Sequence, residues 1–199
     1  MNINAQIVKE LRKKTSAGMM DCKKALKATE GNLEKAIEYL RKKGIDAASS
    51  KFNRQALSGK IDSYIHLYGK IGVLVEVNCE TDFVTNTEEF KEFVKDITMQ
   101  ITASNPRFIS REDVPNDIIK KEKEIFYAQV EKSGKPAPII EKIVEGKLEK
   151  YFKENCLKEQ IFIKDNSKNI NQLLLELIAK LGENIVIKRF ARFQLGEEI

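Results

Sequence analysis

The chain has 199 residues, 42% of them hydrophobic, and a formal net charge of +5 from 35 basic and 30 acidic side chains. That apolar content supplies a packed core and excludes a disordered chain, and no apolar run approaches the roughly 18–20 residues a membrane-spanning helix needs. The N-terminus, MNINAQIVKELRKK, is charged every few positions and lacks the apolar stretch of a secretory signal, so the expected compartment is the cytoplasm.

Residues 3–44 read as three short helices. Asn4 caps the first, with Ile7, Val8 and Leu11 on one face. TSAGMM (15–20) turns the chain into a second helix, which carries Ala25 and Leu26 inward and ends near Gly31. Asn32 caps the third, where Leu33, Ala36, Ile37 and Leu40 recur at spacings of three and four, and Gly44 is placed as its C′ residue. The small and polar run 45–60 reads as a linker, which predicts that residues 1–44 can be removed without unfolding the rest.

A body over residues 61–199 follows. It opens with a hairpin: Ile61, Ile65 and Leu67 share one face, Gly69-Lys70 turns, and Ile71, Val73, Val75 and Val77 alternate on the return strand. Thr87 caps a helix with Phe90, Val94, Ile97 and Ile101 as its buried stripe. Ser110 and Asp113 form a capping box. Two charged helices flank SGKPAP (133–138), with narrow apolar seams that predict an antiparallel helical hairpin arm over about 116–155. A strand at 159–163, a Leu-rich helix at 169–181 and a last strand over 184–195 complete the chain. The order predicts an α+β protein: a three-helix module, then an antiparallel sheet with flanking helices and a protruding helical arm.

Familiar chemistry is scarce. No GxxxxGK[ST] and no GxGxxG occurs, so no nucleotide site of a known type is expected. Three scattered cysteines, Cys22, Cys79 and Cys156, and one histidine, His66, argue against a disulfide framework or a zinc site. A Cys79–His66–Asp82 nucleophile site is conceivable on paper, but the plain reading is two small packing cysteines and a half-exposed strand histidine. The interleaved charges read as solvated helix faces, with a groove for nucleic acid as the rival. Met19 and Met20, flanked by Lys23, suit either a core gap or an adaptable protein-binding surface. In NCETDFV (78–84) the run ETD breaks the strand alternation before Phe83, whose ring is either folded inward or held out for a partner.

LRKKTSAGMMDCKKALKATEGNLEKAIEYLRKKG and EVNCETDFV resemble the two signatures of the elongation factor Ts family, and SGKPAPIIEKIVEGKLEKYFKENCLKEQIFI and RFARFQLGEEI also match its pattern. The sequence departs from the pattern at Ser16, where the family more often has glycine, and in having one sheet-bearing subdomain where longer members have two. The resemblance is to the short form, with a single sheet-bearing subdomain. It implies a guanine nucleotide exchange factor for the GTPase elongation factor Tu, with no cofactor, no membrane contact and no direct nucleic-acid partner. It also implies a ubiquitin-associated-like fold for the N-terminal module, docking through Met19, Met20 and Lys23. Thr81, Asp82, Phe83 and Val84 inherit the family's Mg2+-displacing role. The alternative is a non-catalytic RNA- or ribosome-binding protein, and an enzyme is the third reading. A homodimer is also expected, on the ground that Ile185, Ile187, Ala191, Phe193 and Leu195 share one side of the last strand.

Overall fold

The computed structural model describes residues 4–15, 17–131 and 136–197, without the side chains of 45–49. Ser16 and residues 133–135, parts of two predicted turns, lie outside the described residues. The elements run α1 (Ala5–Thr15), α2 (Met19–Ala28), α3 (Leu33–Ser49), β1 (Ser58–His66), β2 (Ile71–Cys79), α4 (Asp82–Thr85), α5 (Glu88–Ser104), α6 (Asn116–Glu131), α7 (Ala137–Asn155), β3 (Ile161–Phe162), β4 (Asp165–Asn169), α8 (Ile170–Leu181) and β5 (Ile185–Gln194), with 3-10 turns at Arg111–Asp113 and Leu157–Glu159. The strands form a three-stranded sheet in the order β1-β2-β5 and a small antiparallel pair, β3 with β4. The fold is α+β, and the N-terminal helices are consistent with the ubiquitin-associated-like module.

By its internal contacts the chain divides into two compact units. The first contains Met1–Lys60, Val77–Lys91 and Leu173–Val186. Here α1, α2 and α3 close over Val8, Leu11, Cys22, Ala25, Leu26 and Ala36. The Asn4 side chain accepts from the Gln6 N–H at 3.0 Å, and Asn32 accepts from the Lys35 N–H at 3.0 Å, so both predicted caps are made. The end of α2 is a Schellman arrangement: the Gly31 N–H donates to the Leu26 carbonyl at 2.8 Å and the Glu30 N–H to Lys27 at 3.4 Å.

Gly44 is not a helix terminus. α3 runs on to Ser49, and a Cβ at Gly44 would sit 3.3 Å from the Ala179 Cβ on α8. The glycine therefore allows a close helix approach, while Arg41 pairs with Glu176 of α8 at 3.4 Å. The 45–60 linker shrinks to 50–57 between α3 and β1, and a cut at residue 44 severs a helix rather than a hinge. Gly59 has φ +153, and a Cβ there would lie 2.4 Å from the Val77 carbonyl oxygen, so glycine lets β1 lie close to β2 at this point.

The second unit contains Ile61–Glu76, Glu92–Gln172 and Ile187–Ile199. Strand β2 buries Val73 and Val75, but on β1 the predicted face is the outer one: Ile61 and Ile65 are exposed, and Asp62, Tyr64 and His66 are half-buried. Alternation shows which residues share a face, not which way that face points. Leu67 does not continue the strand at all, because Leu67, Tyr68 and Gly69 all take positive φ in the turn. On β5 the predicted common side is covered only at its start: Ile185 and Ile187 are buried, Ala191 is half-buried, and Phe193 and Leu195 are exposed.

In the arm, α6 and α7 pack as the predicted hairpin around Tyr151, Phe152 and Val114. The Ser110–Asp113 capping box closes the 3-10 turn rather than α6. Arg111 in that turn donates to both oxygens of Glu149, at 2.7 and 2.6 Å, and to Glu159, while its guanidinium lies 4.8 Å from the Phe152 ring centroid. The expected strand at 159–163 is only Ile161–Phe162, because Leu157–Glu159 forms a turn and the polar segment Asp165–Asn169 supplies its partner.

Candidate functional site

Strand β2 delivers Cys79 into the core and then releases the chain at Glu80. The Cys79 thiol donates to the Thr81 carbonyl at 3.2 Å. Burial, aided by the negative charge of Glu183, pushes this thiol up to about 11. It stays protonated at neutral pH, which removes its nucleophilic character. His66 Nδ1 is instead engaged by the Tyr64 hydroxyl at 3.0 Å. The conceivable Cys79–His66–Asp82 site therefore lacks an activated thiol.

Thr81 occupies the N-cap position of the single turn α4, with extended φ and ψ, yet its hydroxyl does not cap the helix. Both Thr81 donors go to Glu183: the backbone N–H at 2.9 Å and the hydroxyl at 2.6 Å. Gly182, at φ +81, turns the chain out of α8 and places Glu183 there. The next residue reverses the exchange, since the Asn184 N–H donates to the Glu80 carboxylate at 2.6 Å. The Asn184 side chain in turn donates to the carbonyls of Arg54 at 2.7 Å and Phe52 at 3.3 Å. Two acid-bearing pairs, Glu80-Thr81 and Glu183-Asn184, thus clasp each other across 102 residues of sequence.

The far end of α4 is closed locally. Thr85 and Asn86 side chains donate to the Asp82 carbonyl at 2.7 and 3.1 Å, and the Thr87 hydroxyl donates to Val84 at 2.7 Å. Thr87 also caps α5, accepting from the Phe90 N–H at 3.3 Å. Val84 is buried, whereas Phe83 is 86% exposed and Asp82 is exposed beside it. The four residues divide into two roles: Thr81 and Val84 are anchors, and Asp82 and Phe83 are displayed.

Met19 and Met20 lie in the first turn of α2, 51% and 63% exposed, with Lys23 exposed on the next turn. They fill no core gap. Asp21 between them and Lys23 turns toward α3, where Lys43 donates to it at 2.7 Å and holds its carboxyl below the usual range. Among the described residues no cluster of three or more His, Cys, Asp or Glu side chains is placed to hold a metal, and no helix is long and apolar enough to cross a membrane. Sequence reasoning missed Glu80, Glu183 and Asn184, since nothing in LGEN signals a pairing with a distant loop.

The family description "Elongation factor TS" matches residues 1–197. The chain belongs to the elongation factor Ts family. It is 62% identical over 197 residues to an elongation factor Ts from Caldanaerobacter subterraneus subsp. tengcongensis, covering 99% of this chain and 98% of that protein. It is 58% identical to one from Carboxydothermus hydrogenoformans, over 98% of this chain and 90% of the relative. A third, from Thermodesulfovibrio yellowstonii, is 57% identical over 99% of this chain and 98% of the relative. Membership places the chain among translation elongation factors, a role in protein biosynthesis. Asp82 and Phe83 within EVNCETDFV, and Met19 and Met20 within the N-terminal signature, are exposed, and all four belong to the first compact unit.

Proposed function

We propose that this chain is a guanine nucleotide exchange factor for elongation factor Tu, acting in the cytoplasm, and that it promotes GDP release by displacing the partner's Mg2+. The observation that carries the reading is the ring of Phe83, displayed in water on a helical turn anchored at both ends. A large exposed apolar side chain on a held scaffold fits a surface that closes over it.

A guanine nucleotide is held by phosphate-loop amides and by Mg2+ bridging its phosphates. A ring inserted among the elements that place the metal's ligands loosens both without touching either. Burying a Phe contributes roughly 1.5–3 kcal/mol, which offsets part of that distortion. The Asp82 carboxylate adds repulsion toward phosphate. Coupling is reciprocal, so factor and nucleotide each weaken the other's hold on the GTPase. No bond is made or broken on this chain, and the reading asks for no enzyme chemistry and no resident cofactor.

Docking falls to Met19, Met20 and Lys23. Residues 1–49 hold eleven basic and six acidic side chains, so this module carries a net charge equal to that of the whole chain. Such a face fits an acidic surface on the GTPase. The test is release of a fluorescent GDP analogue from purified elongation factor Tu. Wild-type protein accelerates release, and Phe83→Ala lowers the maximal rate by roughly 30- to 1000-fold, for about 2–4 kcal/mol of lost coupling. A Phe83→Ala protein as fast as wild type removes the wedge. Failure of the wild type to accelerate release, with tight RNA binding instead, favours the RNA-binding alternative.

We also propose that two copies associate through the outer sheet face. Ile61, Ile65, Leu74 and Phe193 are exposed large apolar residues on the sheet strands, and Leu195 follows directly after β5. A second copy covers an apolar face of this kind symmetrically. Light scattering is expected to give twice the monomer mass at micromolar concentration, and a strict monomer removes the idea.

A further inference from the structure

Glu183 has no part in the reading above, yet it is the acceptor on which the start of the TDFV turn depends. The geometry points to Glu183 as a positioning residue for Phe83: it holds Thr81 by two hydrogen bonds and so fixes the direction in which α4 presents the ring. This inference rests on the proposed exchange function and deepens it.

Three observations carry it. Thr81 spends both its donors on one carboxylate, at 2.9 and 2.6 Å, although an N-cap threonine ordinarily turns its oxygen toward its own helix. A single turn has too few internal hydrogen bonds to fix its own direction, so an external anchor is needed. Glu183 is itself held from both sides. Gly182 sets the chain direction before it, and Asn184 after it is 2% exposed and bonded to Glu80, Phe52 and Arg54. The anchor is therefore part of a fixed frame, while the ring it directs, two residues from Thr81, has almost no contact of its own. A carboxylate presents two acceptor oxygens in one plane and matches two donors; an amide in its place presents one acceptor and one donor, so it keeps the Thr81 N–H only by donating to the Thr81 hydroxyl oxygen, without the charge and with the hydroxyl proton deprived of its acceptor.

The test uses full-length Glu183→Gln in two measurements. The first is the rate of GDP release from elongation factor Tu across factor concentration. Glu183→Gln is expected to lower the maximal rate by about 10- to 150-fold, the size of one lost charge-assisted bond. The concentration for half-maximal rate should stay within about twofold, since docking elsewhere is untouched. The second is hydrogen exchange at the Thr81 amide in the free factor, expected to speed up by about tenfold or more as the turn opens locally. Thr81→Val, which keeps the shape and loses the hydroxyl, should give a smaller loss in rate. The double variant should fall short of the sum of the two, as residues sharing one interaction do.

Unchanged maximal rate together with unchanged Thr81 exchange overturns the inference. So does a loss in which the half-maximal concentration rises in proportion or the melting temperature collapses, for then Glu183 supports docking or folding in general. Failure of the underlying reading looks different: Phe83→Ala would release GDP at the wild-type rate. In that case a faster Thr81 exchange in Glu183→Gln shows a clasp that holds the turn but directs no wedge, and the role in exchange falls with it.

Discussion

Two phenylalanines seven residues apart meet opposite fates. Phe90 sits on α5 with no exposed surface, and Phe93, Val94, Ile97 and Ile101 continue the buried stripe along that helix. Phe83 sits on the single turn α4 and is almost fully in water. The side chains are the same; the difference lies in what the backbone is tied to. The stripe on α5 recurs at three and four residues, so seventeen residues of helix bury one face together. Helix α4 is too short for a stripe. It is tied by its two anchors, Thr81 to Glu183 and Val84 to the core, and the residues between them are left pointing outward. A surface ring kept in this way contributes little to folding.

The comparison breaks if the two rings exchange roles under substitution. Phe90→Ala removes a core ring and should destabilise the protein by about 3–5 kcal/mol, with a melting temperature lower by roughly 6–20 °C. Its exchange activity, measured on the folded fraction, should stay near wild type. Phe83→Ala should leave stability within about 0.5 kcal/mol of wild type while losing exchange. Thermal unfolding of both variants decides the matter. A large stability loss in Phe83→Ala means that the ring is core and the wedge assignment is wrong.

Much of the α5 side of this contrast was legible in the sequence, because helical period is local. Thr87 as a cap and the stripe from Phe90 to Ile101 follow from spacing alone, as do the Asn4 and Asn32 caps. The exposure of Phe83 was not settled by pattern, since a broken alternation leaves both directions open, and only the likeness of ETDFV to a family signature favoured the outward one. What escaped was long-range or context-bound. Glu183 meets Thr81 across the chain without any periodic signal. Asp165–Asn169 forms a strand from polar residues, with no alternation to betray it. Gly44 carries the mark of a helix end, but its missing Cβ serves the approach of α8 within a longer helix. On β1 the period was right and its direction was not, because burial depends on which layers cover the sheet.

The base of the loop gives a sharper and smaller test. All three cysteines are buried, and burial raises Cys79 and Cys156 to about 11, above the ordinary thiol value. The folded state therefore keeps these protons to higher pH than the unfolded state does. Stability attributable to them is intact below the ordinary thiol range and is lost as pH rises from about 9 through 11. In a Cys22→Ser, Cys156→Ser protein, Cys79 should resist alkylation at pH 8 and react fully only in denaturant. Rapid alkylation in the native state shows a base that opens, and the firm tie between the strand end and the displayed ring is then lost.

The smallest expected effect is at Asp82. Its carboxylate is exposed, and the hydrogen bonds that close α4 use its backbone carbonyl, which alanine retains. Asp82→Ala should therefore fold as wild type does, within about 0.5 kcal/mol. Its contribution to exchange is electrostatic and acts from a solvated position, where a charge contributes about 0.2–1 kcal/mol, or roughly 1.5- to 5-fold in rate. Raising the salt concentration should shrink the difference between Asp82→Ala and wild type, because an exposed charge is screened over a Debye length of about 8–10 Å. The loss in Phe83→Ala should be indifferent to salt, since an apolar ring carries no charge to screen. The two displayed residues are thus separable by one titration with salt at saturating factor. An Asp82→Ala loss as large as that of Phe83→Ala and equally indifferent to salt contradicts this division, and shifts the displacement of Mg2+ from the ring to a carboxylate acting at short range.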